Sequence, residues 1–242
     1  FAGLGATSAV LMLVFKDTIL GLAAGVRLTS NDMLHKGDWI TVKSVDANGI
    51  VEDMSLTTVK VRNFDNTIVT ISPATLVNGS FQNWIGMQKS GGRRVKRIVY
   101  FDFRSIRLVD ETLKQTLLAK HFATEDSFKL KESLQKAIEK DIEAGKDIVD
   151  LKNPAALAPT NLQLYRRFLE KYLRQRPEVN TELTLMVRHM EATQCGLPIE
   201  FYFFIKDKVW VNYEHILADI MEHAYALANE FGLKIYEQYP EQ

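Results

Sequence analysis

The stretch GIVEDMSLTTVKVRNFDNTIVTI, residues 49–71, decides the fold of this chain. Val59 and Val61 alternate with basic residues, which is the two-residue period of a half-buried β-strand. The Asp-Asn pair at 65–66 is typical of a tight turn between two such strands. The stretch therefore predicts a run of short antiparallel strands.

Working outward, the flanking segments DWITVKSV (38–45) and SFQNW (80–84) add further strands, and the Asn-Gly pair at 48–49 predicts a second tight turn. About five strands within residues 31–87 indicate a small all-β barrel or sandwich domain.

Upstream, residues 1–30 have a different character. FAGLGATSAVLMLVF, residues 1–15, carries no charge and is rich in small residues, which favour close helix packing. A bilayer-spanning helix needs about 20 apolar residues, so this run alone leaves both a membrane helix and a buried helix of a soluble domain open. Lys16 and Asp17 interrupt the run, and the chain begins without Met. We interpret the chain as a fragment whose N-terminal part is missing.

Downstream, residues 88–242 alternate strands and helices. RRVKRIVYFDF reads as a strand, and TELTLMVRHMEA and IEFYFFIKD as two more, with a short final strand LKIYEQ. Apolar residues at helical spacing predict helices over 109–122, 127–144, 161–174 and 211–231. This order predicts a ferredoxin-like α/β domain with a helical insertion over about residues 104–160.

Catalytic and metal chemistry is not indicated by the sequence. The five histidines and the one cysteine show no metal-ligand spacing, and no phosphate-binding glycine loop or nucleophile motif occurs. We therefore predict a protein that is not an enzyme and has no catalytic residues, metal or cofactor. The basic cluster Arg93, Arg94, Lys96 and Arg97, with aromatic neighbours, leaves a nucleic-acid-binding small barrel as an alternative. The net charge of zero favours instead the charged outer face of a strand or an interior electrostatic lining.

Several motifs, in order, resemble the small-conductance mechanosensitive ion channel family. They are GLGATSAVL, LGLAAGV, KGDWITV, the 49–71 stretch and SFQNW, and the strand and helix order of the tail fits as well. The first segment and the helical insertion look most like the bacterial miniconductance branch. Ser72-Pro73-Ala74 departs from the family, which usually has a Pro-Asn turn at this position.

The resemblance implies a channel opened by membrane tension that releases ions and small osmolytes during hypoosmotic shock. It implies a homoheptamer in the bacterial inner membrane, in contact with lipids and not with nucleic acid. Residues 1–30 would form a pore-lining transmembrane helix with a kink and an interfacial helix. Residues 31–87 would form a cytoplasmic Sm-like barrel, and residues 88–242 a cytoplasmic α/β domain. A non-conducting membrane scaffold of the same fold is the other alternative.

The candidate site residues lie in this first segment. At about 100° per residue, Ala9, Leu13, Lys16 and Leu20 share one helix face, which the resemblance assigns to the pore. A ring of Leu13 side chains would form the gate, although a lipid or helix contact is the alternative role for this residue. The residues assigned to helix packing and to the kink are Gly5, Ala6, Asp17, Gly21 and Gly25.

Overall fold

The computed structural model describes residues 2–129, 132–145 and 158–238. The chain divides into two compact units, Phe1–Ser90 and Gly91–Gln242. Each unit is built around an antiparallel sheet with its own hydrophobic core.

The first unit consists of a long helix, α1, followed by a five-stranded antiparallel sheet in the order β4-β3-β2-β1-β5. Alternate strand residues face the core, as the two-residue period predicts, and the core is made almost wholly of Val, Ile and Leu. The elements are α1 (Ala2–Ser30), β1 (Trp39–Val42), β2 (Ala47–Met54), β3 (Val59–Asn63), β4 (Ile68–Ile71), α2 (Pro73–Asn78), β5 (Gln82–Asn83) and α3 (Ile85–Lys89).

Of the two predicted turns in this sheet, one is confirmed and one is wrong. Asn66 adopts a left-handed conformation (φ 68°) between β3 and β4, and Asp65 accepts hydrogen bonds from Thr67 that lower the pKa of its carboxyl group. The Asn-Gly pair at 48–49 lies inside β2 instead, and the preceding turn ends at Asp46 (φ 52°). Glycine is needed at position 49 for another reason, because a Cβ atom there would lie 1.9 Å from the Arg62 carbonyl oxygen.

The Ser-Pro-Ala sequence at 72–74 starts a helix and does not form a simple turn. Ser72 caps α2, since its hydroxyl accepts the Thr75 amide at 3.2 Å, and Pro73 occupies the first helical position. A proline there has no amide hydrogen to leave unpaired, and its fixed φ suits a helix. The short helix places Leu76 in the core of the first unit.

The second unit contains a three-stranded antiparallel sheet in the order β6-β8-β7. An isolated antiparallel bridge joins Phe101 to Ile235, so the predicted last strand is reduced to one bridge. The predicted strand TELTLMVRHMEA is likewise confined to four residues. The elements are β6 (Arg93–Phe101), α4 (Glu111–Ala119), α5 (Glu132–Glu143), α6 (Asn161–Gln175), β7 (Met186–His189), β8 (Leu197–Ile205) and α7 (Trp210–Glu230).

The core of this unit lies between one face of the sheet and helices α6 and α7. Tyr165, fully buried on α6, donates a hydrogen bond of 2.7 Å to the Ala224 carbonyl of α7, and burial raises the pKa of its phenol. The buried amide of Asn161 donates to the carbonyl oxygens of Ser105 and Phe231. These bonds satisfy polar groups that would otherwise be costly to bury.

The opposite face of this sheet carries a buried carboxylate. Glu200, in the central strand β8, is fully buried and accepts a hydrogen bond of 2.7 Å from Arg188 Nε on β7. Lys96 of β6 lies 3.6 Å from its other oxygen. Two half-exposed cations from the neighbouring strands therefore compensate one buried charge.

Candidate functional site

Helix α1 is continuous from Ala2 to Ser30, so the predicted break at Lys16 and Asp17, with a second helix after it, is not present. A lysine and an aspartate are both compatible with a helix interior. A glycine in a helix interior, as at positions 21 and 25, lowers helix stability by only about 1 kcal/mol relative to alanine, which does not by itself end a helix. No proline occurs in this segment to force a break.

The middle of α1 is fully exposed within the chain. Every residue from Val10 to Leu20 is exposed, and Leu13 has 75% and Met12 72% of its surface accessible. Most of these side chains are apolar and lie on all sides of the helix. Soluble monomers rarely expose so large a contiguous apolar surface, which marks contact with lipid or with other chains.

The last turns of α1 pack against the rest of the first unit, chiefly against helix α2. Ala24 and Gly25 are buried, and Leu28 is fully buried in the core of the first unit with Leu34 and Ile40. Burying a leucine stabilises the folded state by about 1.5–3 kcal/mol. The helix is thus attached to the rest of the first unit by one short apolar face near its C-terminal end.

The two glycines predicted to form the kink have different surroundings. A Cβ atom on Gly25 would lie 2.2 Å from the carbonyl oxygen of Leu56, in the loop between β2 and β3. A Cβ atom on Gly21 would have nothing within 4 Å. In this structure Gly25 is therefore a contact glycine that lets the helix backbone approach the loop, whereas Gly21 makes no such contact.

A buried carboxylate holds the loop that follows α1. Asp38, only 7% exposed, accepts hydrogen bonds from the His35 amide (3.0 Å) and from Asn83 Nδ2 (2.8 Å). The same Asn83 amide lies 3.3 Å from the Met33 carbonyl oxygen. The loop after α1 is thereby tied to β5 and to Asp38, the residue that directly precedes β1.

The anchored face and the predicted pore face of α1 point in different directions. Ala24, Gly25 and Leu28 are the buried residues of this part of the helix, and at about 100° per residue their common direction lies about 100° around the axis from that of Leu13 and its partners. The helix can therefore stay docked on the rest of the first unit while Leu13 faces another surface.

The structure places the predicted site residues along this one helix. Leu13, Lys16, Asp17 and Leu20 lie in its exposed middle, whereas Gly5, Ala6 and Ala9 lie in its first half, where only the backbone is described. Sequence reasoning missed the anchor residues Ala24 and Leu28 and the partner loop at Leu56. The sequence signal for these anchor residues was the four-residue spacing of small and apolar side chains. This spacing is also typical of an interfacial helix, so it did not identify the anchor.

The basic cluster of β6 makes contacts within the second unit. Lys96 faces Glu200, and the Arg93 guanidinium lies 4.4 Å from the ring centroid of Tyr213. Burial raises the pKa of the Tyr213 phenol, and the nearby arginines partly oppose this shift. Such contacts favour the interpretation of this cluster as a charged strand face.

Within the part of the chain that the structure describes, no helix combines the length and the apolar character of a membrane span. The pore-lining role of α1 stays a prediction.

Comparison with known proteins identifies the first unit. Residues 17–86 match the family domain described as "Mechanosensitive ion channel, beta-domain". The small-conductance mechanosensitive channel MscMJ of Methanocaldococcus jannaschii is 34% identical over 82 residues, covering 34% of this chain and 23% of the relative. The large-conductance channel MscMJLR of the same organism is 29% identical over 118 residues, covering 48% of this chain and 32% of the relative. The chain thus spans less than a third of the length of these relatives.

Solved structures extend the similarity of fold over nearly the whole chain. The match to the closed-state crystal structure of Helicobacter pylori MscS covers 100% of this chain and 71% of the MscS chain, with a TM-score of 0.59 and 12% identity. The match to the cryo-EM structure of Arabidopsis thaliana MSL1 covers 97% of this chain and 64% of the MSL1 chain, with a TM-score of 0.63 and 10% identity. At such low identity these structures establish the fold alone, and the family-domain match applies to residues 17–86. Residues 17–86 of this chain are thus similar to the β-domain of mechanosensitive ion channels, and the fold of the chain is similar to that of the MscS structure.

Proposed function

We propose that this chain contributes a pore helix and two cytoplasmic domains to an ion channel opened by membrane tension. The observation that carries the proposal is the continuous helix α1, whose apolar middle is exposed on every side and whose end is docked on a mechanosensitive-channel β-domain. An apolar helix of this kind needs a covering, and lipid together with other copies of the same helix supplies one.

In this proposal the face of Ala9, Leu13, Lys16 and Leu20 lines the pore of a homoheptamer. Symmetry repeats Leu13 in every subunit, so its side chains form an apolar ring. A narrow apolar ring expels water and thereby blocks ions without a separate plug. Lys16 and Leu20 follow toward the cytoplasmic mouth, while Gly5 and Ala6 allow neighbouring helices to approach closely.

Tension acts on such an assembly through its area. A state that occupies more membrane area is favoured when the membrane is stretched, because the work done by tension differs between the two states. This mechanism requires no catalytic residue, metal or cofactor. The released species would be ions and small osmolytes, as expected of a channel that answers hypoosmotic shock.

The finer assignments are part of the same proposal. We place the channel in the bacterial inner membrane, with the β and α/β domains cytoplasmic, and in the miniconductance branch. We assign a ferredoxin-like fold to the second domain. The sheet order β6-β8-β7, with Ile235 bridged to the free edge of β6, supports this assignment.

The test is a patch-clamp recording of the full-length protein that carries this chain, in cells lacking their other mechanosensitive channels. Stepped suction is expected to elicit a current, and Leu13→Ser to lower its threshold, because a serine ring stays hydrated. Leu11→Ser is the matched control, since Leu11 is also exposed but lies on the opposite side of the helix, about 200° from Leu13.

Two outcomes would contradict the proposal. Inserted protein that gives no current up to membrane rupture would favour a non-conducting scaffold of the same fold. Equal shifts in threshold for Leu13→Ser and Leu11→Ser would remove Leu13 from the gate, because only one of the two positions can face the pore axis.

A further inference from the structure

The second unit contains a cavity of about 380 Å³ between the loop after α4 and one face of α6. This volume is within the usual range for small-molecule sites. Residues 121–124 and Ser127 provide one wall, and the other wall comes from α6, namely Leu164, Arg167, Phe168, Lys171, Tyr172 and Gln175. The channel function proposed above makes no use of this cavity.

Three cationic or potentially cationic side chains line the cavity, namely His121, Arg167 and Lys171, and no carboxylate does. In the described part of the chain, none of the three has a hydrogen bond or an ion pair. Arg167 and Lys171 are four residues apart on α6, so like charges lie on the same helix face. Such a pair destabilises a helix slightly, and an anion between the two side chains would reverse this effect.

Three carboxylates that adjoin the cavity residues in sequence are already engaged elsewhere. Asp126 pairs with Lys129 at 2.7 Å, and Glu125 lies 4.0 Å from Lys114. Glu170, on the helix between the two cations, accepts the Val187 amide at 3.0 Å. The positive charge of the cavity is therefore left for a ligand to neutralise.

The apolar floor of the cavity is formed largely by aromatic rings that pack against other rings. Phe122 and Phe168 meet edge to face with centroids 5.3 Å apart, and Leu164 is buried beside them. Tyr172 packs against His223 of α7 with centroids 4.7 Å apart. Such a surface suits an aromatic or aliphatic group better than a fully hydrated ion.

The rim adds two hydroxyl groups. Ser127 Oγ accepts the Thr124 amide at 3.1 Å and lies 3.2 Å from the Thr124 hydroxyl. Both residues line the cavity, and hydroxyl groups can donate further hydrogen bonds to an anionic oxygen. The cavity thus combines cations and hydroxyls at its rim with an apolar floor.

We propose that this cavity binds a small organic anion, with its phosphate or carboxylate group at Arg167 and Lys171 and its apolar part on Phe122 and Phe168. Arginine binds such groups through a planar fork of donors, and lysine adds a point charge. The site belongs to the second unit alone and does not depend on α1 or on conduction.

The test is isothermal titration of the 242-residue chain with phenyl phosphate, with benzyl alcohol and inorganic phosphate as probes of the two parts alone. Phenyl phosphate is expected to bind with a Kd at least tenfold below that of either part. Arg167→Gln and Lys171→Gln are each expected to weaken this binding about tenfold. Arg174→Gln is the matched control, since Arg174 is exposed on the same helix but does not line the cavity, and it is expected to leave the Kd unchanged.

A second variant separates binding from folding. His121 adopts a left-handed conformation (φ 59°) that glycine favours, so His121→Gly is expected to keep or raise the thermal midpoint while weakening phenyl phosphate binding. The proposal is overturned if phenyl phosphate does not bind at millimolar concentrations, or if the cavity variants bind it as the control does. Inorganic phosphate binding as tightly as phenyl phosphate would likewise refute the role given to the apolar floor. These readouts require no current, so they are independent of the channel proposal.

Discussion

The contact of Gly25 with the loop at Leu56 gives a prediction whose size follows from the geometry. A Cβ atom at position 25 would lie 2.2 Å from the Leu56 carbonyl oxygen, whereas a carbon and an oxygen in contact are normally about 3.3 Å apart. Gly25→Ala therefore forces the helix and the loop to separate by about 1 Å. Because the clash is with backbone atoms, no side chain can rotate away to relieve it.

The expected cost combines three effects. Overpacking typically costs 1–3 kcal/mol, and lifting the helix exposes part of Leu28, whose full burial is worth about 1.5–3 kcal/mol. The higher helix propensity of alanine offsets about 1 kcal/mol of this loss in the free energy of unfolding. We expect Gly25→Ala to lower the free energy of unfolding by about 1–3 kcal/mol. Gly21→Ala, with open space around its Cβ, is expected to raise it by up to about 1 kcal/mol.

Urea denaturation followed by tryptophan fluorescence measures both variants. Trp39 and Trp84 stack in the first unit with centroids 4.6 Å apart. With Trp210 of the second unit replaced by Phe in all variants, the signal reports on the unit that contains the contact. The two alanine variants change the same kind of residue on the same helix, four positions apart. If both variants were stabilised to the same extent, the close approach at Gly25 would not exist in the folded protein, and the anchoring of α1 would have to be abandoned.

Two further predictions concern the second unit. Arg188→Met removes the 2.7 Å hydrogen bond to the buried carboxylate of Glu200. Because Lys96 remains and Arg188 is half exposed, we expect the free energy of unfolding to fall by about 2 kcal/mol, which lowers Tm by roughly 4–8 °C. An Arg174→Met control with an equal fall in calorimetry would contradict this reasoning. At the start of α4, the hydrogen bond from the Leu113 amide lowers the pKa of the Asp110 carboxyl, and the charge of Arg107 lowers it further. The stabilisation by ionised Asp110 is therefore present above about pH 4 and is lost as the pH falls through the lowered pKa. Asp110→Asn, which keeps the cap but does not titrate, should therefore show a flatter dependence of Tm on pH below about pH 4, and an unchanged slope would argue against this role.

The sheet of the first unit could be predicted closely because its side chains face either core or solvent. The alternation around Val59 and Val61 fixes which residues are buried, and both are fully buried in the structure. The turn at Asp46 was missed because an Asn-Gly pair two residues later is a stronger local signal. That glycine is required by the neighbouring strand at Arg62, and a contact so distant in sequence leaves no local pattern.

The candidate site was predicted less completely. Apolar composition indicated the exposed middle of α1, since a run of large apolar residues without polar alternation needs a covering from outside the chain. The anchor was not predicted, because it depends on a loop at Leu56 about thirty residues downstream of Gly25. The cavity near Arg167 was missed for the same reason, since it forms only when the loop at His121 meets a helix some forty residues later.

The anchor also limits how α1 can move if it lines a pore. Leu28 is fully buried and Ala24 nearly so, and therefore the last turns of the helix are held within the first unit. The exposed segment from Val10 to Leu20 has no such contacts within the chain. A change in tilt can therefore occur in only two ways: the helix moves together with the β-sheet, or it bends between the two regions. Gly21 lies between them and has open space around it, so it is the position where bending would meet the least steric resistance.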